Sequence, residues 1–239
     1  MLYLIGLGLD LKDLSLKALE IIKKCKKVYL EIYTNEFPYS TNELEKLINK
    51  KIEKAGRDMV EQKADIIEGA KKHDVCLLIY GSPLAATTHI ELILRAKEKK
   101  IKIRVIHNSS VFSAIAETGL QLYKFGKTTS IPAWKINYKP TSFMDIVKEN
   151  LSINAHTLLL VDIGLSLQDA LCELKEATKD KINLNKIIIC SQLGTSNQKI
   201  FCDNIEKLEK LKIKAPFCII IPAKLHFLEK EALEESSWK

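Results

Sequence analysis

The sequence has no Cys-x-x-Cys pair and no histidine standing with a cysteine at zinc-ligand spacing. Its six cysteines, at 25, 76, 172, 190, 202 and 218, therefore do not read as a metal centre. A Gly-x-x-x-x-Gly-Lys phosphate loop is also missing, which excludes the commonest nucleotide hydrolases, and so is an acid/base carboxylate pair. No apolar run approaches the roughly 20 residues that cross a bilayer. The opening Met1-Leu2-Tyr3-Leu4-Ile5 is too short, and too poor in basic residues, for a secretory signal. Nine glycines and six prolines in 239 residues leave little material for long flexible linkers. There is no internal repeat and no low-complexity tract. A soluble cytoplasmic protein is expected, with free thiols buried in apolar runs such as Val75-Cys76-Leu77-Leu78-Ile79 and Phe217-Cys218-Ile219.

What is present is ordinary globular composition, 46% hydrophobic and 28% charged, enough for one large domain or two small ones. The 37 basic against 30 acidic residues leave a net charge of +7. Much of it is lysine on helix faces, as in Lys23-Lys24-Cys25-Lys26-Lys27 and Lys97-Glu98-Lys99-Lys100. A solvated surface accounts for such runs, and an acidic partner is the alternative. No aromatic-rich basic stripe points to nucleic acid, and direct nucleic-acid binding is not expected.

Short apolar runs alternate with amphipathic stretches. Strands are expected at Leu2–Ile5, Val28–Tyr33, Val75–Tyr80 and Ile101–Ile106. Helices are expected through Leu14–Ile22, over Asn42–Lys51 with Thr41 as N-cap, over Met59–Lys72, over Thr88–Lys99 and around Val111–Thr118. This βαβα order argues for a parallel sheet with helices on its faces, and ligands then bind beyond the carboxyl ends of strands. The turn-rich stretch Phe125–Pro140 precedes a less regular set: helix Ser142–Leu151, strand Thr157–Ile163, helix Leu167–Thr178, strands Ile187–Gln192 and Cys218–Pro222, and helix Leu228–Ser236. The reading is α/β with two α/β domains, residues 1–122 and 123–239.

Three loops draw attention. Gly6-Leu7-Gly8-Leu9 follows the first strand, but Leu11 stands where a dinucleotide fingerprint needs its third glycine. Asp10 beside it suits a helix cap. Gly81-Ser82-Pro83-Leu84-Ala85-Ala86-Thr87-Thr88-His89 follows the most apolar strand. Its small residues let backbone approach a ligand, and Thr87 or Thr88 can cap the next helix. Ser82 with His89 suggests a nucleophile and base, although no Gly-x-Ser-x-Gly elbow surrounds them. His107-Asn108-Ser109-Ser110-Val111 opens a helix with hydroxyls and free N–H groups, suited to a carboxylate or to capping. Asp162 at a strand end and His226 after the last strand can each be site residues or structural ones. With no phosphate loop, metal cluster or carboxylate pair, a reaction that asks little of protein groups fits best. Methyl transfer from a sulfonium donor is such a reaction, because the donor carries its own leaving group.

Taken together the strings resemble the diphthine synthases, within the tetrapyrrole methylase fold family. The resemblance spans the chain. It rests on Leu2-Tyr3-Leu4-Ile5-Gly6-Leu7-Gly8-Leu9, Pro83-Leu84-Ala85-Ala86-Thr87-Thr88-His89, Thr118-Gly119-Leu120 and Tyr123-Lys124-Phe125-Gly126-Lys127. It continues through Pro140-Thr141-Ser142, His156-Thr157-Leu158 and Lys224-Leu225-His226. It implies a tetrapyrrole methylase-type fold with S-adenosylmethionine in the cleft between two α/β domains, S-adenosylhomocysteine as product, and a homodimer. It also implies methylation of the amino-carboxypropyl-modified histidine of translation elongation factor 2 during diphthamide biosynthesis. By the same resemblance Leu9, Ser82, Ala85, Ser110, Val111, Val161, Leu193 and Phe217 fall at cofactor-contacting positions. Ser82 replaces an aspartate usual there, Gly164 a lysine and Ala223 a glycine. No catalytic base is assigned. The alternatives are a methyltransferase of the same fold acting on a corrinoid precursor or ribosomal RNA, a non-catalytic binding protein on that fold, and a hydrolase using Ser82.

Overall fold

The computed structural model describes residues 1–179 and 182–235. The chain divides into two compact units, Met1–Phe112 and Ser113–Lys239. The division expected at 122/123 lies in the same run of short helical turns, Val111 to Lys124.

In the first unit, strands β1 (Leu2–Gly6), β2 (Lys27–Glu31), β3 (Glu53–Ala55), β4 (Val75–Ile79) and β5 (Ile103–Ile106) form one sheet in the order β3-β2-β4-β1-β5. All pairings are parallel. Period-two alternation gives the central strands β1, β2 and β4 two apolar faces, while the edge strands β3 and β5 carry charged residues. Leu2, Leu4, Val75, Leu77 and Ile79 meet Ile66, Ile67 and Ala70 of α3 (Asp65–Lys72) and Leu92, Ile93 and Ala96 of α4 (Ile90–Glu98). On the other face Ile5, Cys76 and Leu78 meet Ala18 and Ile22 of α1 (Leu16–Lys24) and Leu44 and Ile48 of α2 (Thr41–Ile48). Each fully buried Leu or Ile contributes about 1.5–3 kcal/mol, so these two layers hold the sheet without help from disulfides; all six cysteines are free, with Cys172 exposed and Cys202 half-buried rather than buried.

Several local expectations are corrected. The cap of α2 is Ser40, not Thr41: Ser40 Oγ accepts from the Glu43 N–H while Glu43 accepts from the Ser40 N–H. This reciprocal box fits Ser-x-x-Glu better than the neighbouring Thr41-x-x-Leu44. Thr87 and Thr88 do not cap α4. The Thr87 hydroxyl donates to the Pro83 carbonyl, the Thr88 hydroxyl to Glu61, and the cap position is His89. Met59–Lys72 is not one helix but a π turn, Asp58–Gln62, and then α3. The strand β3 was not foreseen, since three residues carry too little alternation to read.

In the second unit, after α5 (Val111–Ala114), the sheet runs β6-β7-β10-β8-β9, with β6 (Thr129–Ile131), β7 (Thr157–Val161), β8 (Ile187–Ser191), β9 (Lys199–Asp203) and β10 (Phe217–Ile221). Only β6 and β7 pair in parallel; β10 runs antiparallel to β7 and β8, and β8 to β9. Its core joins Leu159, Ile187, Ile189, Ile219 and Ile221 to α6 (Phe143–Ser152), α7 (Leu167–Thr178) and α8 (Ile205–Leu208). The unit ends in α9 (Phe227–Glu235). Strand β6 lies inside the stretch read as turn, and β9 and α8 were not expected. The last expected helix reached Ser236, which is outside the described residues.

Candidate active site

The carboxyl ends of β1, β4 and β5 lie side by side in the first sheet, so the loops after them are neighbours. Backbone bonds join the first two: the Gly8 N–H donates to the Gly81 carbonyl at 3.1 Å and the Gly81 N–H to the Gly8 carbonyl at 2.9 Å. Gly8 has a φ of +77°, and a Cβ there would stand 2.3 Å from Asp13 Cβ. A side chain is excluded twice over, by conformation and by space.

Asp13 organises this end of the unit. Its Oδ2 accepts from the Leu9 and Asp10 N–H groups at 2.9 and 3.0 Å and from the Ser109 hydroxyl at 3.3 Å. Asp10 caps the same short turn, as its position suggests, by accepting from the Lys12 N–H. The Tyr80 hydroxyl donates to the Leu9 carbonyl at 3.0 Å, and burial raises its pKa, so it stays a donor. Asn108 ties in the third loop, donating to the Gly6 and Asp13 carbonyls at 3.1 and 3.0 Å. Leu9, Ser82, Ala85, Ser110 and Val111 are therefore carried on three loops that backbone and side-chain bonds fasten to one another. Sequence reading located the loops but missed Asp13 and Tyr80. The Asp10-x-x-Asp13 spacing of a capping box was the available signal.

Ser82 and His89 do not form a nucleophile–base pair. Ser82 Oγ lies 3.3 Å from His107 Nδ1. His89 is buried, with Nδ1 3.2 Å from the Pro83 carbonyl oxygen and Nε2 without a partner. Among the described residues no group of three or more His, Cys, Asp or Glu converges as a metal site would require.

In the second unit, Val161, Leu193 and Phe217 gather at one end of the sheet. Register pairs Phe217 with Ser191, two residues before Leu193, and Cys218 with Leu160, one before Val161. Gln192, at φ +50°, is held there by its N–H to the Pro216 carbonyl and its amide to the Ala215 carbonyl. Asp162 accepts from the Ala133 and Ile163 N–H groups and so shapes the turn after β7.

A buried polar cluster, also missed from sequence, lies elsewhere in this unit. Glu229 is fully buried and accepts from Lys124 Nζ at 2.5 Å, the His226 N–H at 2.7 Å, the Gln121 N–H at 3.1 Å and His156 Nε2 at 3.1 Å. Burial alone would raise its pKa, but Lys124 and these N–H donors outweigh it and hold the carboxyl at about 2. The His156 ring accepts at Nδ1 from the Ala223 N–H, so Nε2 carries the proton, and burial lowers its pKa despite Glu229. His226 is exposed, and its N–H belongs to this cluster.

The chain matches the family model for tetrapyrrole (corrin/porphyrin) methylases over residues 1–209. It is 37% identical to the diphthine methyl ester synthase of Schizosaccharomyces pombe, over 98% of this chain and 93% of that protein. It is 39% identical to the diphthine synthase of Methanococcus vannielii, over 98% of each. The chain belongs to the diphthine synthases of the tetrapyrrole methylase family. A crystal structure of a diphthine synthase superposes with a TM-score of 0.91 at 33% identity, covering 98% of this chain and 95% of that one. The two sheets described above are those of the tetrapyrrole methylase fold, and the chain is a methyltransferase of the diphthine synthase type.

Proposed function

We propose that this chain transfers methyl groups from S-adenosylmethionine to the amino-carboxypropyl-modified histidine of translation elongation factor 2, in diphthamide biosynthesis. The observation that carries the reading is the agreement, along nearly the whole chain, of sequence and fold with diphthine synthases from archaea and eukaryotes. The first unit's loops fit such a donor. They offer short neutral side chains, half-buried serine hydroxyls and backbone that glycines keep bare, tied together before any ligand arrives. Leu9, Ser82, Ala85, Ser110 and Val111 would hold it, and the resemblance assigns Val161, Leu193 and Phe217 to the same donor. When bound, a sulfonium supplies an activated methyl group and its leaving group; the protein's part is to position the acceptor and exclude water.

The cytoplasm is the compartment this reading requires, and no helix among the described residues is long and apolar enough to cross a membrane. A homodimer is part of the proposal. Isothermal titration with S-adenosylmethionine, then mass spectrometry of the elongation factor peptide after reaction, tests it. Binding followed by mass gains of whole methyl groups is expected. Absence of donor binding overturns the reading, and methylation of a corrinoid precursor or ribosomal RNA instead replaces it.

A further inference from the structure

Three buried side-chain polar atoms of the first unit have no hydrogen-bond partner, and two of them, the Tyr33 hydroxyl and His89 Nε2, belong to neighbouring rings. The rings meet edge to face with centroids 6.2 Å apart. The tautomer of His89 follows from its other nitrogen. Nδ1 faces the Pro83 carbonyl oxygen, which only accepts, so Nδ1 carries the proton and Nε2 presents a bare lone pair. A buried acceptor left unbonded costs about 1–3 kcal/mol, and such groups call for an explanation.

The surroundings suit a cation. Glu31, fully buried at the end of β2, and Glu61, from the π turn, both favour positive charge on the His89 ring; Arg57, over Tyr33 at 5.4 Å and 3.9 Å from Glu61, offsets part of that field, and Glu31 carries the rest. Thr88 donates to Glu61 at 2.8 Å. His89 also closes the loop that begins at Gly81, so it shares one short segment with Ser82 and Ala85.

We propose that His89 Nε2 is the proton acceptor for the amine that this chain methylates, with the Tyr33 hydroxyl oxygen receiving a second N–H of the incoming ammonium. The inference rests on the function proposed above and names the group that prepares its nucleophile. An ammonium nitrogen has no lone pair to attack with. One N–H bond breaks, the proton passes to Nε2, and the imidazole becomes imidazolium beside two carboxylates. The nitrogen pair then forms the N–CH3 bond as the C–S bond breaks, the electrons of that bond staying on sulfur. The product is again an ammonium, carrying one proton fewer, and the imidazolium returns its proton to solvent before another round. Burial, opposed by Glu31, the Pro83 carbonyl and Glu61, holds the imidazole below its usual pKa and so keeps it neutral and able to accept at pH 7. Both atoms are closed off in the free protein, so acceptor binding must shift the Ser82–Thr88 turn, where Ala86 sits at φ +55°.

The test uses the whole chain, wild type, His89→Gln and Tyr33→Phe, with modified elongation factor 2. Nitrogen-15 NMR of the wild type should show His89 with Nε2 unprotonated at neutral pH and displaced by saturating acceptor; an unmoved resonance overturns the proposal. His89→Gln should lose about 10²–10⁴-fold in kcat for amine methylation. The donor Kd should be unchanged, and the loss should shrink as pH rises towards the pKa of the acceptor amine. A loss independent of pH and accompanied by weaker donor binding marks a structural role and overturns the proposal, as does undiminished turnover. Tyr33→Phe removes a hydroxyl that lies near Thr88 and Glu61 without a well-formed hydrogen bond to either, and should fold as the wild type does. It should raise KM for the acceptor about tenfold, the equivalent of one lost hydrogen bond, and an unchanged KM overturns the assignment even if His89→Gln does not fold. Should the wild type itself bind no donor, it is the function proposed above that fails.

Discussion

His156 donates its Nε2 proton to Glu229 Oε1 across 3.1 Å, and both side chains are fully buried. The residues lie far apart in sequence, and the cluster around Glu229 gathers three of the strings that carry the family resemblance. Lys124 is the third member, His226 supplies its N–H, and Lys124 Nζ also reaches the Lys224 carbonyl. The cluster fastens the start of α9 to the strand β7 and to the turn before β6.

Removing its carboxylate should be costly. Glu229→Gln leaves Lys124 half of a buried pair and should destabilise the protein by about 3–5 kcal/mol, read from urea unfolding. The pH dependence has a definite sign. Glu229 titrates near 2 when folded against 4.5 for an ordinary glutamate. Its contribution is therefore complete above about pH 4.5 and is lost as pH falls from there towards 2. Wild-type stability should decline through that window, and the decline should be shallower in Glu229→Gln. Equal slopes for the two proteins would sink this account.

Glycine 8 offers a separate test. Gly8→Ala forces a side chain into a left-handed conformation and against Asp13 Cβ. Strain at a positive φ together with the clash should cost about 2 kcal/mol or more. The Asp13 bonds to Leu9 and Asp10 should loosen as well, so calorimetry should show weaker donor binding in whatever fraction folds.

The first sheet is readable in the sequence because β1, β2 and β4 each carry an unbroken apolar run, β5 alternates apolar with basic residues, and turn residues follow. Val75–Ile79 is the plainest case. Leu167–Thr178 was read with its true ends, since Ser166 caps it and its apolar spacing is regular. What escaped has a physical cause in each instance. Glu53–Ala55 and Thr129–Ile131 are three-residue strands made by their partners rather than by their own pattern. Glu229 reads as one more surface acid in a charged helix, and only the fold brings Lys124 and His156 to it. The three loops were legible because glycine and small polar residues follow strands there. Of the residues that fix those loops, Asp13 has a local sign in its capping-box spacing to Asp10, whereas Tyr80 has none, because its bond to Leu9 joins distant residues.

Ser40 gives a prediction confined to stability. Ser40→Ala deletes the acceptor for the Glu43 N–H and leaves Glu43 with half a box, and should cost about 1 kcal/mol. Thr41→Ala should cost less, since Ser40 holds the cap. Neither change should alter the donor Kd. A larger loss from Thr41→Ala than from Ser40→Ala would contradict the capping assignment.

Asn108 binds the third loop to the first through the Gly6 and Asp13 carbonyls, beside the weaker bond from the Ser109 hydroxyl to Asp13. Asn108→Ala removes both bonds and leaves two part-buried acceptors, which should cost about 1–2 kcal/mol of stability. The larger effect should be on binding. A loop set that must be ordered when the donor arrives, rather than before, takes that ordering out of the binding free energy. About 1.4 kcal/mol of it corresponds to a tenfold weaker Kd. Turnover at saturating donor should change little, because Asn108 holds backbone and reaches no reacting atom. Calorimetry against steady-state kinetics separates the two. A fall in turnover with donor affinity intact would place Asn108 in the chemistry and remove it from the scaffold.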